Sequence, residues 1–185
     1  RRPAPARPDP SSFLVEIQDA RTLASLPSHA GILAARVGFA PVAEEALCAR
    51  WDVYLRGTWG WGIGATGAIY LPHWAPDGTL TGCKLRDGTG GKQSLPGSRY
   101  ENLYGSWLGR RHKAVLLTEG ETDAIYAGWV AAEERIDIDV FAIPSGAQKT
   151  IEPQWLDFLR GASPIYLAFD PDEAGVGATR NWIEA

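Results

Sequence analysis

The residues in this chain best suited to chemistry are carboxylates that end apolar runs. Ile165-Tyr166-Leu167-Ala168 leads directly into Phe169-Asp170-Pro171-Asp172-Glu173-Ala174-Gly175. A short apolar run of this kind reads as a buried strand. Side chains alternate along a strand, so Asp170 and Asp172 are expected to project the same way from its carboxyl end. Open α/β sheets place their sites at that edge. Two like charges so close repel, and a divalent cation relieves the repulsion. Hard oxygen ligands favour Mg²⁺ or Mn²⁺. Taken alone, Asp-x-Asp is explained about as well by helix N-capping.

A second acidic cluster has the same setting. Val115-Leu116-Leu117-Thr118 reads as another buried strand. It runs through Glu119-Gly120-Glu121-Thr122-Asp123 into the helical-looking stretch Ala124 to Glu133. The glutamate ends the strand and the glycine allows a tight turn. Asp123 falls in the first helical turn, where a negative charge suits the helix dipole. Capping and a site role explain Asp123 equally well. Two strand-ending acidic clusters in one short α/β unit are harder to assign to coincidence than one.

The elements that must position these acids divide by charge. Residues 1–113 carry 14 Lys and Arg against 9 Asp and Glu, a net +5, whereas residues 114–185 carry 4 against 13, a net −9. The total of −4 would argue against nucleic acid, but the asymmetry reverses that inference. An acidic half binds cations, and a basic half beside it can hold a phosphate backbone or a triphosphate. In the basic half, Ile69-Tyr70-Leu71-Pro72 reads as a strand and Asp77-Gly78 as a hairpin turn. Thr79 to Arg86 alternates like the returning strand, and Asp87-Gly88 and Gly90-Gly91 mark further turns. Lys84, Arg86 and Lys92 on this hairpin would by default be an ordinary solvated face.

Glu119, Gly120, Asp123, Asp170, Asp172 and Gly175 together resemble the TOPRIM domain. That domain is shared by bacterial-type primases, type IA and type II topoisomerases and some nucleases. The upstream order of Lys84, Arg86, Asp87, Lys92 and Leu103-Tyr104-Gly105 resembles the basic subdomain that precedes TOPRIM in phage replicative primase–helicases and mitochondrial Twinkle. The resemblance spans roughly residues 30–185, and bacterial primase is a more distant cousin by the same motifs. It implies an α/β protein. A linker over 1–12 would lead into an α+β basic subdomain over 13–113. A TOPRIM fold with a mainly parallel sheet would follow over 114–185, ending before the strand that comes after Asp-x-Asp. Val140-Phe141-Ala142-Ile143-Pro144 would be a further TOPRIM strand, with the loop Ser145-Gly146-Ala147 beside the acids.

The function so implied is that of a DNA primase core, a DNA-directed RNA polymerase making short RNA primers on single-stranded DNA. Glu119, Asp170 and Asp172 would be catalytic and hold Mg²⁺ or Mn²⁺. Lys84 and Lys92 would bind the incoming ribonucleoside triphosphate, helped by Arg86, with Asp123 at the nucleotide and template site. Metal-dependent phosphoryl transfer rests on such positioning and charge neutralisation. A fused or associated replicative helicase and a cytoplasmic replication fork would be the setting. Two other readings remain: a Twinkle-like module that holds single-stranded DNA without synthesis, and a TOPRIM nuclease. The basic hairpin is superfluous for the nuclease.

Composition sets further bounds. Cys48 and Cys83 are far apart, which excludes a Cys₄ zinc site within these residues and fits reduced thiols. No apolar stretch is long enough to span a membrane, and no signal-peptide pattern is present. The chain has no methionine, which suggests that it starts inside a longer protein or was trimmed. Leu14, Ile17, Leu23 and Leu26 suggest partly helical structure over 13–36, and a short helix is expected from Pro41 to Arg50. Trp59 and Trp61 lie in a Trp- and Gly-rich stretch. They suit packing in a Gly-turned hairpin better than base stacking.

Overall fold

The computed structural model describes residues 54–63, 68–86, 91–144, 146 and 150–185. The expected linker, the helices over 13–36 and 41–50, Cys48, the turns at Asp87-Gly88 and Gly90, and Ser145 and Ala147 lie outside the described residues.

Two sheets of opposite character form the fold. The first is antiparallel, with strands in the order β1 (Gly62–Ile63), β2 (Ile69–Trp74), β3 (Leu80–Arg86) and β4 (Lys92–Ser94). The β2–β3 turn is the one that the Asp77-Gly78 pair predicts. Gly78 takes φ +84°, a conformation that costs glycine little, and Asp77 Oδ1 accepts from the Thr79 N–H at 2.9 Å. Tyr70 pairs with Leu85 and Leu71 with Lys84. Lys92 on β4 pairs with Arg86 on β3, which sets two basic residues side by side at the sheet margin.

The second sheet is parallel, in the order β6 (Ile138–Ala142), β5 (Ala114–Thr118), β7 (Ile165–Ala168). Parallel neighbours need crossovers, and helices supply them. Helix α1 (Glu121–Glu133) joins β5 to β6, α2 (Pro153–Leu159) lies between β6 and β7, and α3 (Glu173–Glu184) follows β7. Together the two sheets make an α/β protein, as expected. Asp139 anchors the start of β5: its Oδ2 accepts from the backbone N–H of Arg111 at 2.7 Å and of His112 at 2.8 Å. A buried carboxylate is stabilised by such charge-assisted bonds.

The core joins the sheets. Trp59 and Trp61 are buried among Ile69, Leu71, Tyr104, Ala124, Ile125 and Trp129. The Trp59 ring stacks on Tyr104 with centroids 5.1 Å apart, and Trp61 Nε1 donates to Tyr104 Oη at 3.3 Å. Packing is therefore what these tryptophans do, and a base-stacking surface is not. Each such burial is worth about 1.5–3 kcal/mol. The Leu103-Tyr104-Gly105 turn is a structural joint. Tyr104 exchanges backbone hydrogen bonds with Ala142 at the margin of the parallel sheet, at 2.8 and 3.1 Å. Gly105 sits at φ +91°, and a Cβ there would press within 3.1 Å of the Trp59 ring. A second core, around Leu103, Val115, Leu117, Phe141, Ile143, Trp155 and Leu159, lies under the parallel sheet.

Candidate functional site

The carboxyl ends of β5 and β7 lie side by side, because Thr118 pairs with Ala168. Glu119 and Asp170 leave these two strand ends. Glu119 Oε2 accepts from the Asp170 N–H at 3.2 Å, so one acidic residue supports the backbone of the other. Asp123, in the first turn of α1, folds back over Gly120. A Cβ at Gly120 would fall 2.7 Å from Asp123 Oδ2. Gly120 has φ −119°, an ordinary extended value. Glycine leaves room here for the Asp123 carboxylate, whose flexible end would have to shift to admit a Cβ, and a special turn conformation is not involved.

These acids meet the basic hairpin. A cavity of about 600 Å³ is lined by Lys84, Arg86 and Lys92 from β3 and β4, by Glu119 and Asp170 from the loops after β5 and β7, and by Glu121 and Asp123 from the first turn of α1. Six of the seven residues singled out from the sequence thus share one cavity, in which Gly146 also takes part. The Asp123 carboxyl is raised above its ordinary value, first by burial and then by the charge of Asp170, while the Gly120 backbone and Arg86 pull the other way. Negative charge is crowded at this edge.

Asp172 is the exception. It was expected beside Asp170, but β7 ends at Ala168, so strand alternation does not govern either aspartate. Asp172 is instead the N-cap of α3, and its Oδ1 accepts from the Gly175 N–H at 2.8 Å. It lines a separate groove along α3 with Glu173, Ala174 and Asn181. Gly175 keeps the turn closed: a Cβ there would lie 2.0 Å from the Asp170 carbonyl oxygen. The capping explanation that competed for Asp-x-Asp therefore applies to its second member.

Among the described residues, no three carboxylate, imidazole or thiol groups converge at metal-ligand spacing. The donor set nevertheless suits a hard cation. Mg²⁺ keeps several waters and takes only one or two protein carboxylates beside substrate phosphates. Glu119, Asp123 and Asp170 offer oxygen atoms and unbalanced negative charge at the cavity wall.

Glu121 was not foreseen as a site residue. It opens α1, is only 3% exposed, and meets Lys84 and His73 through one oxygen. Lys84 Nζ donates to Glu121 Oε1 and to the Pro144 carbonyl, and His73 Nε2 lies 3.4 Å from the same Glu121 oxygen. Burial alone would raise the Glu121 carboxyl, but His73 and the Lys84 ammonium outweigh it and hold the group at about 2. His73 is fully enclosed and held below its ordinary value by that burial, against the pull of Glu121. The sequence showed only one more acid in an acidic turn. Its basic partner lies 37 residues upstream, beyond the reach of local pattern.

This architecture is the fold of TOPRIM-type primase cores. The chain is similar to a chain of the bacteriophage T7 assembly in which the lagging-strand DNA polymerase interacts with primase domains bound to an RNA/DNA hybrid and dTTP. That match has a TM-score of 0.59 and 23% identity, over 72% of this chain and 68% of that one. It is also similar to the primase fragment of the T7 primase-helicase, at a TM-score of 0.57 and 24% identity, over 70% of this chain and 54% of that fragment. A third neighbour is the RNA polymerase domain of the Mycobacterium tuberculosis primase, at 0.58 and 13% identity, over 95% of this chain and 70% of that one. The chain thus spans about half of the phage fragment. No family model matches it, and neither does any curated protein sequence. At these identities the likeness is one of fold.

Proposed function

We propose that this chain is the catalytic core of a DNA primase, extending short RNA primers on single-stranded DNA. One observation carries the reading: a carboxylate cluster at the carboxyl ends of β5 and β7 shares a single cavity with a basic strand pair, in a primase-type fold. Nucleotidyl transfer asks for both. An anionic triphosphate needs cationic neighbours, and the transferring phosphoryl group needs charge neutralisation and alignment. Glu119, Asp123 and Asp170 would hold Mg²⁺ or Mn²⁺, and Asp172 would join them through Oδ2, since its cap uses Oδ1. A bound cation would activate the attacking hydroxyl and offset charge on the leaving group. Arg86 and Lys92 would receive the triphosphate or the template backbone. Glu119 holds the Asp170 backbone in place. The basic unit up to residue 113 would act as the nucleotide wall and the acidic unit from 114 as the metal wall.

A module that holds DNA without synthesis has the same basic wall and leaves the acids without a task. The nuclease reading leaves the basic strands without one. No helix among the described residues is long and apolar enough to cross a membrane. A replication-fork setting with an associated helicase follows from the primase reading. The test is extension of a preformed RNA dinucleotide on a single-stranded template with ribonucleotides and Mn²⁺, which removes initiation and leaves only transfer. Extension that is lost in Asp170→Ala supports the enzyme. A chain that binds single-stranded DNA yet extends nothing under any of these conditions transfers the reading to the binding module.

A further inference from the structure

Three basic residues line the cavity, and they are not held alike. Lys92 is exposed on the short strand β4, and Arg86 is half-buried at the end of β3. Lys84 is anchored on several sides. Its ammonium donates to Glu121 Oε1 on α1 and to the Pro144 carbonyl after β6, and it lies 5.1 Å from the centre of the Tyr100 ring. Its side chain is 20% exposed, and that of Glu121 is 5% exposed. Lysine has three N–H donors, so one remains after Glu121 and Pro144 are served.

We infer that Glu121 is a positioning residue, which fixes the Lys84 ammonium in the cavity wall so that its remaining donor meets a triphosphate oxygen. The inference rests on the nucleotidyl-transfer reading and names how one wall of that site is built. A free lysine loses rotamer freedom when it grips a ligand. Glu121 and Pro144 impose that loss during folding, so it does not recur on binding. The Pro144 contact extends the effect, since Gly146 two residues on also lines the cavity. Glu121 has an opposing influence as well, because its negative charge offsets that of Lys84. The two influences differ in sign. If positioning dominates, removing Glu121 weakens triphosphate binding. If neutralisation dominates, removing it strengthens binding.

The experiment uses the full chain and two readouts. In the first, trace acetylation of amines is followed residue by residue by mass spectrometry. Hydrogen bonds to charged groups are worth about 1.5–3 kcal/mol, so Lys84 should react roughly tenfold or more slowly than Lys92 and Lys113. Glu121→Gln keeps an accepting oxygen and should preserve that protection, whereas Glu121→Ala, which leaves only the Pro144 carbonyl, should raise the Lys84 rate severalfold. In the second, ATP binding is measured with Mn²⁺ present. Glu121→Ala should weaken binding about tenfold, equivalent to one lost charge-assisted contact, with Glu121→Gln close to the wild type. Lys84→Ala should weaken it similarly, and the double variant should add little to either single one. ATP binding by Glu121→Ala that equals or exceeds wild type overturns the inference, and so does a Lys84 that reacts as fast as Lys92 in the native chain. A protected Lys84 in a chain that does not bind ATP at all refutes the nucleotidyl-transfer reading and leaves the anchoring of Lys84 by Glu121 standing. Should Glu121→Ala fail to fold, Glu121→Met fills the same volume without an acceptor and takes its place.

Discussion

The two walls of the cavity are built on different physical terms. The acidic wall is held by backbone. Asp170 is supported by Glu119 through its own N–H, and its carbonyl packs against Gly175 with no room for a Cβ. The basic wall rests on side chains: Lys92 stands on an exposed three-residue strand, and only Lys84 is anchored by Glu121 and Pro144. A group that must hold an ion at fixed distances needs a rigid mount. A group that meets a long flexible polyanion can tolerate a looser one, because its attraction is long-ranged. Sites of opposite charge within one cavity therefore place different demands on the fold beneath them.

The sharpest way to break this comparison is at Gly175. Gly175→Ala drives a methyl group into the Asp170 carbonyl, so the loop must shift by the better part of an ångström. Displacement on that scale costs about 100-fold in rate. Primer extension should fall by that order while binding to single-stranded DNA is kept, as filter binding on the same sample will show. An extension rate within a factor of two of wild type would mean that the acidic wall is not rigid.

Asp172 offers the next largest effect. Asp172→Asn keeps an N-capping oxygen and removes the charge, whereas Asp172→Ala removes both. Loss of the cap costs about 1 kcal/mol. Thermal melting should be lowered in the alanine variant and nearly unchanged in the asparagine one, with Mn²⁺ binding by calorimetry retained in Asp172→Asn and lost in Asp170→Ala. Loss of the Mn²⁺ signal in Asp172→Asn would add Asp172 to the proposed cation ligands.

The basic wall should show itself in salt dependence. Arg86→Ala and Lys92→Ala should each weaken polynucleotide binding and reduce the slope of log affinity against log salt by about 1. Unchanged slopes would return both residues to an ordinary solvated face.

The smallest expected effect belongs to His73, behind the basic wall. Its value is held below the ordinary 6.5 by burial, so the folded chain binds this proton less readily than the unfolded one. Stability tied to His73 is therefore complete above pH 6.5 and falls as the pH drops below it toward the folded value. The slope contributed is at most about 1.4 kcal/mol per pH unit. His73→Gln should flatten the dependence of the melting temperature on pH between 6.5 and 5 relative to wild type, and an identical profile would remove His73 from the account.

Much of this arrangement was legible in the sequence. Apolar runs ending in acid identified β5 and β7 as strands, and Asp77-Gly78 located the β2–β3 turn, because strand propensity and turn chemistry are local properties. The expected burial holds for β5 and fails for β7, an edge strand whose Ile165 and Tyr166 are exposed, because burial depends on what packs against the strand. The charge asymmetry set a basic half beside an acidic one. Local pattern failed where a residue's partner is distant or where an element's end decides its direction. Asp172 was assigned by strand alternation, yet the strand stops at Ala168 and the helix claims its side chain. Glu121 passed for one more turn residue, since nothing near it shows that Lys84 and His73 will converge on a single oxygen. The sequence by itself determined which residues are acidic, basic or apolar and which short runs become strands. Only the tertiary structure decided which charges share a cavity, because that depends on how two sheets pack through Trp59, Trp61 and Tyr104, a contact no local spacing encodes.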